Sequence, residues 1–296
     1  MKSKALRHPT ALLPGFWLVL CLLYLGNADV VRDSVQRSIM LCGSALIPSL
    51  FPVLVFSGAL VASENVTREK TRRALEILGR PLLLGWIFGF PVGAMQMEEA
   101  LKTWEGRRPD RLLYLSCGTS ATFVIAFVGG HLLKDPVLGV LLYLSELLPL
   151  LMFSAPILWS QRKRLLPSLT QKRGPVSFAE VIRRASLDML SICGCVMFFG
   201  SVADLFLFHL PETLAPFFLS VTEVGSAASR LTVMRGPLAR PLLGFSVGFG
   251  GLSALLQMLP HVKKAGGSPW KLLWWRLVLG ALSAGFFFLF STVRGS

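Results

Sequence analysis

Charged side chains are scarce in this sequence. Asp, Glu, Lys and Arg make up 16% of its 296 residues, against about 25% in soluble globular domains. This shortage excludes an ordinary soluble protein. In their place 53% of the residues are hydrophobic, and several stretches reach the roughly 20 apolar residues that cross a bilayer core. The sequence therefore predicts a polytopic, all-α integral membrane protein.

Side chains and motifs of enzyme catalysis are also rare. The chain has four histidines, no Walker A segment, no dinucleotide-binding glycine fingerprint and no G-x-S-x-G sequence. Its five cysteines lie in apolar stretches, and the Cys193-Gly-Cys195 pair has no histidine or second cysteine pair beside it. We therefore predict that the protein is not an enzyme, binds no cofactor or metal ion and forms no disulfide.

Basic residues outnumber acidic ones by 30 to 16. They concentrate in short segments between apolar stretches, which is the distribution that the positive-inside rule describes for cytoplasmic loops. The net charge of +14 thus predicts contact with anionic lipid headgroups and not nucleic-acid binding.

Seven apolar stretches are predicted to cross the membrane. The N-terminal stretch has a basic start, as a signal peptide has, but no small-residue cleavage site follows it, so we expect a transmembrane helix. The second stretch is interrupted by Pro48 and Pro52 and is expected to be two pieces or one kinked span. A charged helix over residues 64–77 is expected after it. The predicted spans cover residues 10–26, 35–61, 112–133, 136–159, 178–208, 238–259 and 270–293.

Two further apolar segments are too short or too polar for ordinary spans, and each is broken near its centre. Residues 80–102 contain the break FPVGAM, and residues 212–234 contain TEVGSA. Irregular backbone at membrane depth is tolerated where protein or a wet cavity covers it. We therefore predict two re-entrant helical hairpins.

The breaks recur at one spacing. Gly93 and Gly225 are 132 residues apart, and so are Gly118 and Gly250 of the spans that follow the hairpins. This recurrence predicts an internal duplication. If the hairpins do not cross the membrane, each half crosses it three times, so the second repeat is expected to be inverted. The predicted units are an N-terminal helix (1–30), a first repeat (31–160), a basic cytoplasmic linker (161–176) and a second repeat (177–296).

The distribution of charge also predicts the orientation. A cytoplasmic N-terminus places the basic segments 68–80, 102–111 and 162–184 inside, and leaves the connections poor in basic residues outside. Arg235 and Arg240, on the outer side of the second hairpin, are exceptions.

Glu223 is the strongest candidate for function, because an ionisable group at membrane depth is costly unless it is used. Two roles are open: contact with a solute or coupling ion, or capping of the half-helix that follows. Polar and small residues in the spans that follow the two breaks either line a solute pathway or allow close helix packing. The candidate binding residues are Glu223, Thr222, Gly225, Ser226, Pro91, Gly93, Gln96, Ser116, Gly118, Thr119, Ser120, Gly250, Gly251, Ser253 and Gln257.

Three other acidic residues have less defined roles. Glu146 lies inside an apolar span and is expected to pair with a basic residue or to bind a proton. Glu98 and Asp204 are expected near the two membrane surfaces, where water would solvate them.

Three motifs resemble those of the YlbJ (SpoVV) sporulation integral membrane proteins, which carry the nucleoside-recognition or Gate domain. They are GFPVGA (89–94), LLYLSCGTSATFVIAFVG (112–129) and LLGFSVGFGGLSALLQ (242–257). The likeness covers residues 40–260. The resemblance implies paired hairpins, as in concentrative nucleoside transporters, and a homo-oligomer as one option.

The resemblance also implies a function: transport of dipicolinic acid across the outer forespore membrane during spore formation. From the residues alone we expect a transporter or channel for a small organic anion, with its site at the midplane between the hairpins. The resemblance implies a location in a bacterial cell membrane or the outer forespore membrane. The alternatives are a nucleoside-type transporter coupled to Na⁺ or H⁺, and a non-transporting membrane scaffold, which the lack of long soluble loops disfavours.

Overall fold

The computed structural model describes residues 12–63, 72–102, 104, 108–166, 177–211 and 213–295. Within these ranges the regular secondary structure is helical apart from one two-residue antiparallel ladder, in which β1 (Arg72–Arg73) pairs with β2 (Leu165–Leu166). The predicted basic N-terminal tail and most of the linker 161–176 lie outside the described residues.

Helices of the first half follow one another in the order that the apolar stretches predict. They are α1 (Leu12–Gly26), α2 (Ala28–Leu41), α3 (Ile47–Ser63), α4 (Ala74–Phe88), α5 (Val92–Lys102), α6 (Arg111–Leu115) and α7 (Pro136–Gln161), with π-helical segments at Cys42–Leu46 and Thr122–Leu132.

The second half repeats this order of a long helix, two short helices, a broken helix and a final long helix. Its helices are α8 (Phe178–Leu207), α9 (Ala215–Thr222), α10 (Val224–Leu231), α11 (Ala239–Phe249), α12 (Gly251–Lys264) and α13 (Pro269–Gly295).

Among the described residues, five helices are long and apolar enough to cross a membrane, which confirms the prediction of a membrane protein in its coarser form. They comprise Ala28–Leu60, Pro136–Gln161, Phe178–Leu207, Ala239–Lys264 and Pro269–Arg294. Pro14–Gly26 and Thr122–Leu132 are shorter apolar helices. Even at the α-helical rise of 1.5 Å per residue, the 11 residues of Thr122–Leu132 cover at most about 16 Å, roughly half of a hydrocarbon core.

The first of these spans is one helix and not two pieces. The turn Cys42–Leu46 is π-helical and Pro52 lies inside α3. Proline has no backbone N–H to donate, and such irregular turns are the usual places where a helix bends. The helix nevertheless continues through both.

The predicted bounds of two helices are wrong. The span 112–133 is not one helix, because residues 116–120 are non-helical between α6 and the π-helical segment Thr122–Leu132. Of the predicted charged helix 64–77, residues 64–71 lie outside the described residues, and the next two residues form β1, so the helix begins at Ala74.

Ion pairs replace the expected solvation of two acidic residues. Glu98 on α5 is 5% exposed, with its carboxylate 2.8 Å from His261 Nδ1 of α12 and 2.9 Å from Lys102 Nζ. Asp204 on α8 pairs with Arg230 of α10 and, at 2.9 Å, with Arg37 of α2. The expectation that these carboxylates are solvated at the membrane surfaces is therefore wrong for both.

Candidate functional site

The first hairpin segment is two helices, α4 and α5, joined by a break at residues 89–91. Gly89 has a φ of 82°, which glycine adopts without a steric penalty. A Cβ there would lie 2.7 Å from the backbone nitrogen of Ser120. The break is therefore held directly against the non-helical residues 116–120.

Backbone contacts bind α4 and α5 to that unwound segment. The Gly118 amide donates to the Gly85 carbonyl at 3.3 Å, and the Trp86 indole donates to the Leu115 carbonyl at 2.9 Å. The Ala94 amide donates to Cys117 Sγ at 2.9 Å. These bonds partner backbone groups that the interruption of the helix leaves free.

The second broken helix lies on the other side of the same segment. Thr119 Oγ1 donates to the Val247 carbonyl of α11 at 2.8 Å. The α11–α12 junction follows at Gly250 and Gly251, with φ angles of 85° and 79°. A Cβ on Gly251 would lie 3.0 Å from the Cα of Glu223, so this junction touches the break between α9 and α10. All four breaks thus meet in one place.

Glu223 occupies that last break and caps α10. Its backbone is extended, and its carboxylate accepts the amide N–H of Gly225 at 2.8 Å and of Ser226 at 2.6 Å. The residue is 3% exposed. Of the two roles left open by the sequence, the structure shows the cap. The first amide donors of α10, those of Gly225 and Ser226, are occupied by Glu223 itself, and solute contact stays a prediction.

A buried arginine that the sequence analysis did not select holds the two unwound segments together. Arg276 of α13 is fully buried and donates to the carbonyls of Cys117 at 2.8 Å, Gly248 at 2.5 Å and Phe249 at 2.9 Å. One signal could have identified it: Arg276 is the one charged residue in the apolar run LLWWRLVLGALSAGFFFLF.

Glu146 of α7 lies beside this arginine. Its Oε1 accepts the Thr119 amide at 2.7 Å and lies 3.9 Å from Arg276 Nη2. The expectation that Glu146 pairs with a basic residue is confirmed in this looser form. The pair is almost completely excluded from solvent, with side chains 2% and 1% exposed.

A cavity of about 70 Å³ lies where the breaks converge. One water needs roughly 10–15 Å³ of cavity volume, so this cavity has room for a few waters. Its apolar wall includes residues of α3 and α8 and phenylalanines near the breaks, and its polar wall comes from the breaks and from α12. The polar and glycine residues of the lining are Thr119, Ser120, Glu223, Gly250, Ser253 and Gln257.

Six of the fifteen candidate binding residues therefore line one cavity. Two of the others bond to the helices beside the breaks: the Ser116 hydroxyl donates to the Leu113 carbonyl at 2.9 Å, and that of Thr222 to the Leu219 carbonyl at 3.1 Å. The residues outside the lining are Thr222, Gly225, Ser226, Pro91, Gly93, Gln96, Ser116, Gly118 and Gly251.

Replacing Glu223 with glutamine tests the cap. The amide keeps one acceptor oxygen and loses the charge, so we expect the free energy of unfolding to fall by about 1.5–3 kcal/mol, the contribution of a hydrogen bond to a charged group. The measurement is the thermal unfolding midpoint of the purified protein.

The matched control for this variant is Asp135→Asn. Asp135 caps α7 in the same way, accepting the Leu138 amide at 3.1 Å; this bond, with Arg294 nearby, lowers the pKa of Asp135. Because this cap is partly exposed and asparagine is as good a cap as aspartate, we expect a much smaller loss. A Glu223→Gln midpoint equal to that of the control would contradict the buried cap.

The geometry brings together two helix breaks, two unwound helices and a buried ion pair around one small cavity. This arrangement does not by itself identify a related protein. Comparison of the chain with protein-family models, curated proteins and solved structures finds no match.

Proposed function

We propose that the protein is a membrane transporter for a small organic anion, with its solute site at the cavity between the two helical hairpins. One observation carries this proposal: four interruptions of helical structure meet around a buried, partly polar cavity inside a bundle of membrane-length helices. A chain that only anchors an assembly gains nothing from such interruptions, because irregular backbone in a membrane must be covered at a cost.

The size of the cavity supports an occluded conformation. Solute sites in proteins usually measure about 300–1,000 Å³, well above the 70 Å³ here. Solute binding therefore requires the hairpins to move. Each hairpin is fastened by an ion-pair cluster, the first through Glu98 and the second through Asp204, and opening one cluster at a time gives alternate access to the site.

The nature of the solute rests on the resemblance described above. Dipicolinic acid, carried during spore formation, is the first candidate, with a cytoplasmic N-terminus and a location in a bacterial cell membrane or the outer forespore membrane. A nucleoside-type solute is the second, because four hydroxyl or amide side chains line the cavity: Thr119, Ser120, Ser253 and Gln257.

Uptake into liposomes tests the function. Purified protein reconstituted into vesicles is expected to take up labelled dipicolinate and to leave labelled uridine outside. Replacing Ser253 with leucine should abolish uptake, since this side chain is 3% exposed and lines the cavity. The matched control, Ser186→Leu, changes an exposed serine of α8 and should transport normally.

The alternatives give different results in the same assay. Uptake of uridine without dipicolinate would favour the nucleoside-type transporter. Failure of both solutes to enter, with folded protein in the vesicles, would favour the scaffold and count against the proposal.

A further inference from the structure

The charges around the cavity do not balance. Within the described part of the chain, the fully buried ionisable carboxyl and guanidinium groups are Glu98, Glu146, Glu223 and Arg276. Glu98 is neutralised by its own partners, Lys102 and His261. This leaves two carboxylates and one guanidinium at the convergence of the breaks. An uncompensated charge in a dry interior is costly and is normally removed by protonation.

Hydrogen bonding identifies the carboxyl group that takes the proton. Both oxygens of Glu223 accept backbone N–H groups, which leaves the ionised form fully partnered. Glu146 differs: Oε1 accepts the Thr119 amide, whereas Oε2 is buried without a hydrogen-bond partner. A proton on this oxygen removes the excess negative charge and leaves the Thr119 bond in place.

We propose that Glu146 is a proton-binding site and that the protein is a proton–anion symporter. This inference rests on the proposed function. The coupling ion, which the sequence left open, is then the proton. Its site, Glu146, does not line the cavity but bonds to Thr119, which does.

Arg276 connects the proton to the solute. Its guanidinium lies 4.9 Å from the centre of the Phe90 ring, and its Nη2 would lie 3.3 Å from a Cβ on Gly250. Both of these residues line the cavity. When Glu146 is ionised, it offsets the charge of Arg276. When a proton binds Oε2, this offset is lost and one negative charge beside the cavity is removed, so the field in the cavity becomes more favourable to an anion.

Thr119 provides a second connection between the two sites. Its amide is bonded to Glu146 and its hydroxyl to the Val247 carbonyl, while its side chain lines the cavity. The other titratable groups facing the pair are Tyr143 on α7, whose hydroxyl donates to the Trp86 carbonyl, and Cys117 of the unwound segment. The bond between Glu146 Oε2 and the proton is the one that forms and breaks in this step. The proton binds together with the anion and leaves with it.

Infrared difference spectroscopy of the purified protein tests the proton site without any solute. Between mildly acidic and alkaline pH, the wild type should show the C=O band of a buried protonated carboxyl group. Glu146→Gln should lose this band. Glu146→Asp and Glu223→Gln should both keep it, and Glu146→Asp also verifies that the site tolerates substitution. A band missing from the wild type, or lost in Glu223→Gln and kept in Glu146→Gln, would overturn the assignment.

Vesicle uptake of labelled dipicolinate then tests the coupling. An inward proton gradient should accelerate uptake by the wild type, and Glu146→Gln should exchange dipicolinate at a rate that ignores the gradient. Wild-type uptake that ignores the gradient would overturn coupling and leave the transport function standing. A Glu146 band without dipicolinate flux would refute the proposed function for this anion, while the proton site would stand.

Discussion

Replacing Arg276 with methionine is expected to lower the free energy of unfolding by about 3–5 kcal/mol, the cost of leaving a buried charge without its partner. The substitution keeps most of the side-chain volume but removes the cation beside Glu146. It also leaves three buried carbonyls without a donor, those of Cys117, Gly248 and Phe249, and each orphaned group adds to the loss.

Buried cysteines provide the measurement. Cys42, Cys117 and Cys193 are buried and free, so a thiol-reactive fluorescent dye reports unfolding of the detergent-solubilised protein as temperature rises. We expect a large fall in the midpoint for Arg276→Met.

Arg240→Met is the matched control for this variant. Arg240 is exposed and donates to a single carbonyl, that of Ser291, at 2.9 Å, so its replacement should cost much less. Combining Glu146→Gln with Arg276→Met removes both charges and should recover part of the lost stability. If the two single arginine variants unfold at the same temperature, Arg276 does not hold the unwound segments together.

Sequence analysis located the long helices because membrane spans depend on a local property, the length of an apolar run. The runs that predicted the final spans of each half correspond closely to α7 and α13. The breaks between α4 and α5 and between α9 and α10 were also located, since Gly89 and Pro91 interrupt a helix on their own and a carboxylate such as Glu223 is unusual in an apolar run.

The unwound segments were not predicted, because their causes are distant in the sequence. Residues 116–120 contain small and hydroxyl side chains that a span also tolerates. They are non-helical because their backbone groups find partners elsewhere: the Cys117 carbonyl bonds to Arg276, 159 residues away, and the Gly118 amide bonds to Gly85. A pattern of residues cannot show such pairings.

Partners that are distant in the sequence also explain why Glu98 and Asp204 are paired and not solvated. Glu98 lies at a predicted helix end, where water would solvate it, but α12 brings His261 against it. Asp204 is enclosed in the same way by Arg37 and Arg230, from two other helices. Sequence identifies such charges as unusual, and only packing decides whether they are solvated or paired.

The equal spacing of the glycines corresponds to repeated interruptions in the structure. The four glycines from which the spacing was measured all lie at or beside an interruption: Gly93 and Gly225 begin the second arms of the two hairpins, and Gly118 and Gly250 lie in the two unwound segments. The order of elements repeats around them. Whether the second repeat is inverted stays a prediction.

Replacing Gly93 with alanine should have the second large effect. A Cβ at Gly93 would overlap the Ser116 carbonyl oxygen and lie 2.7 Å from the Cα of Gly85. Both are backbone atoms, which cannot rotate aside as a side chain can. The hairpin arms would have to separate from each other and from the unwound segment, so we expect a loss of about 3 kcal/mol or more, the upper range of overpacking, and no dipicolinate uptake.

Gly79→Ala is the control, because Gly79 lies in the same hairpin, in α4, with nothing within 4 Å of its added Cβ. Alanine favours helix over glycine by up to about 1 kcal/mol, so this variant should be as stable as the wild type or slightly more stable, and should transport normally. Thermal midpoints by thiol labelling and uptake by vesicles measure both variants. Normal stability and uptake in Gly93→Ala would contradict the close approach of α4, α5 and the unwound segment, and with it the cavity that the three elements enclose.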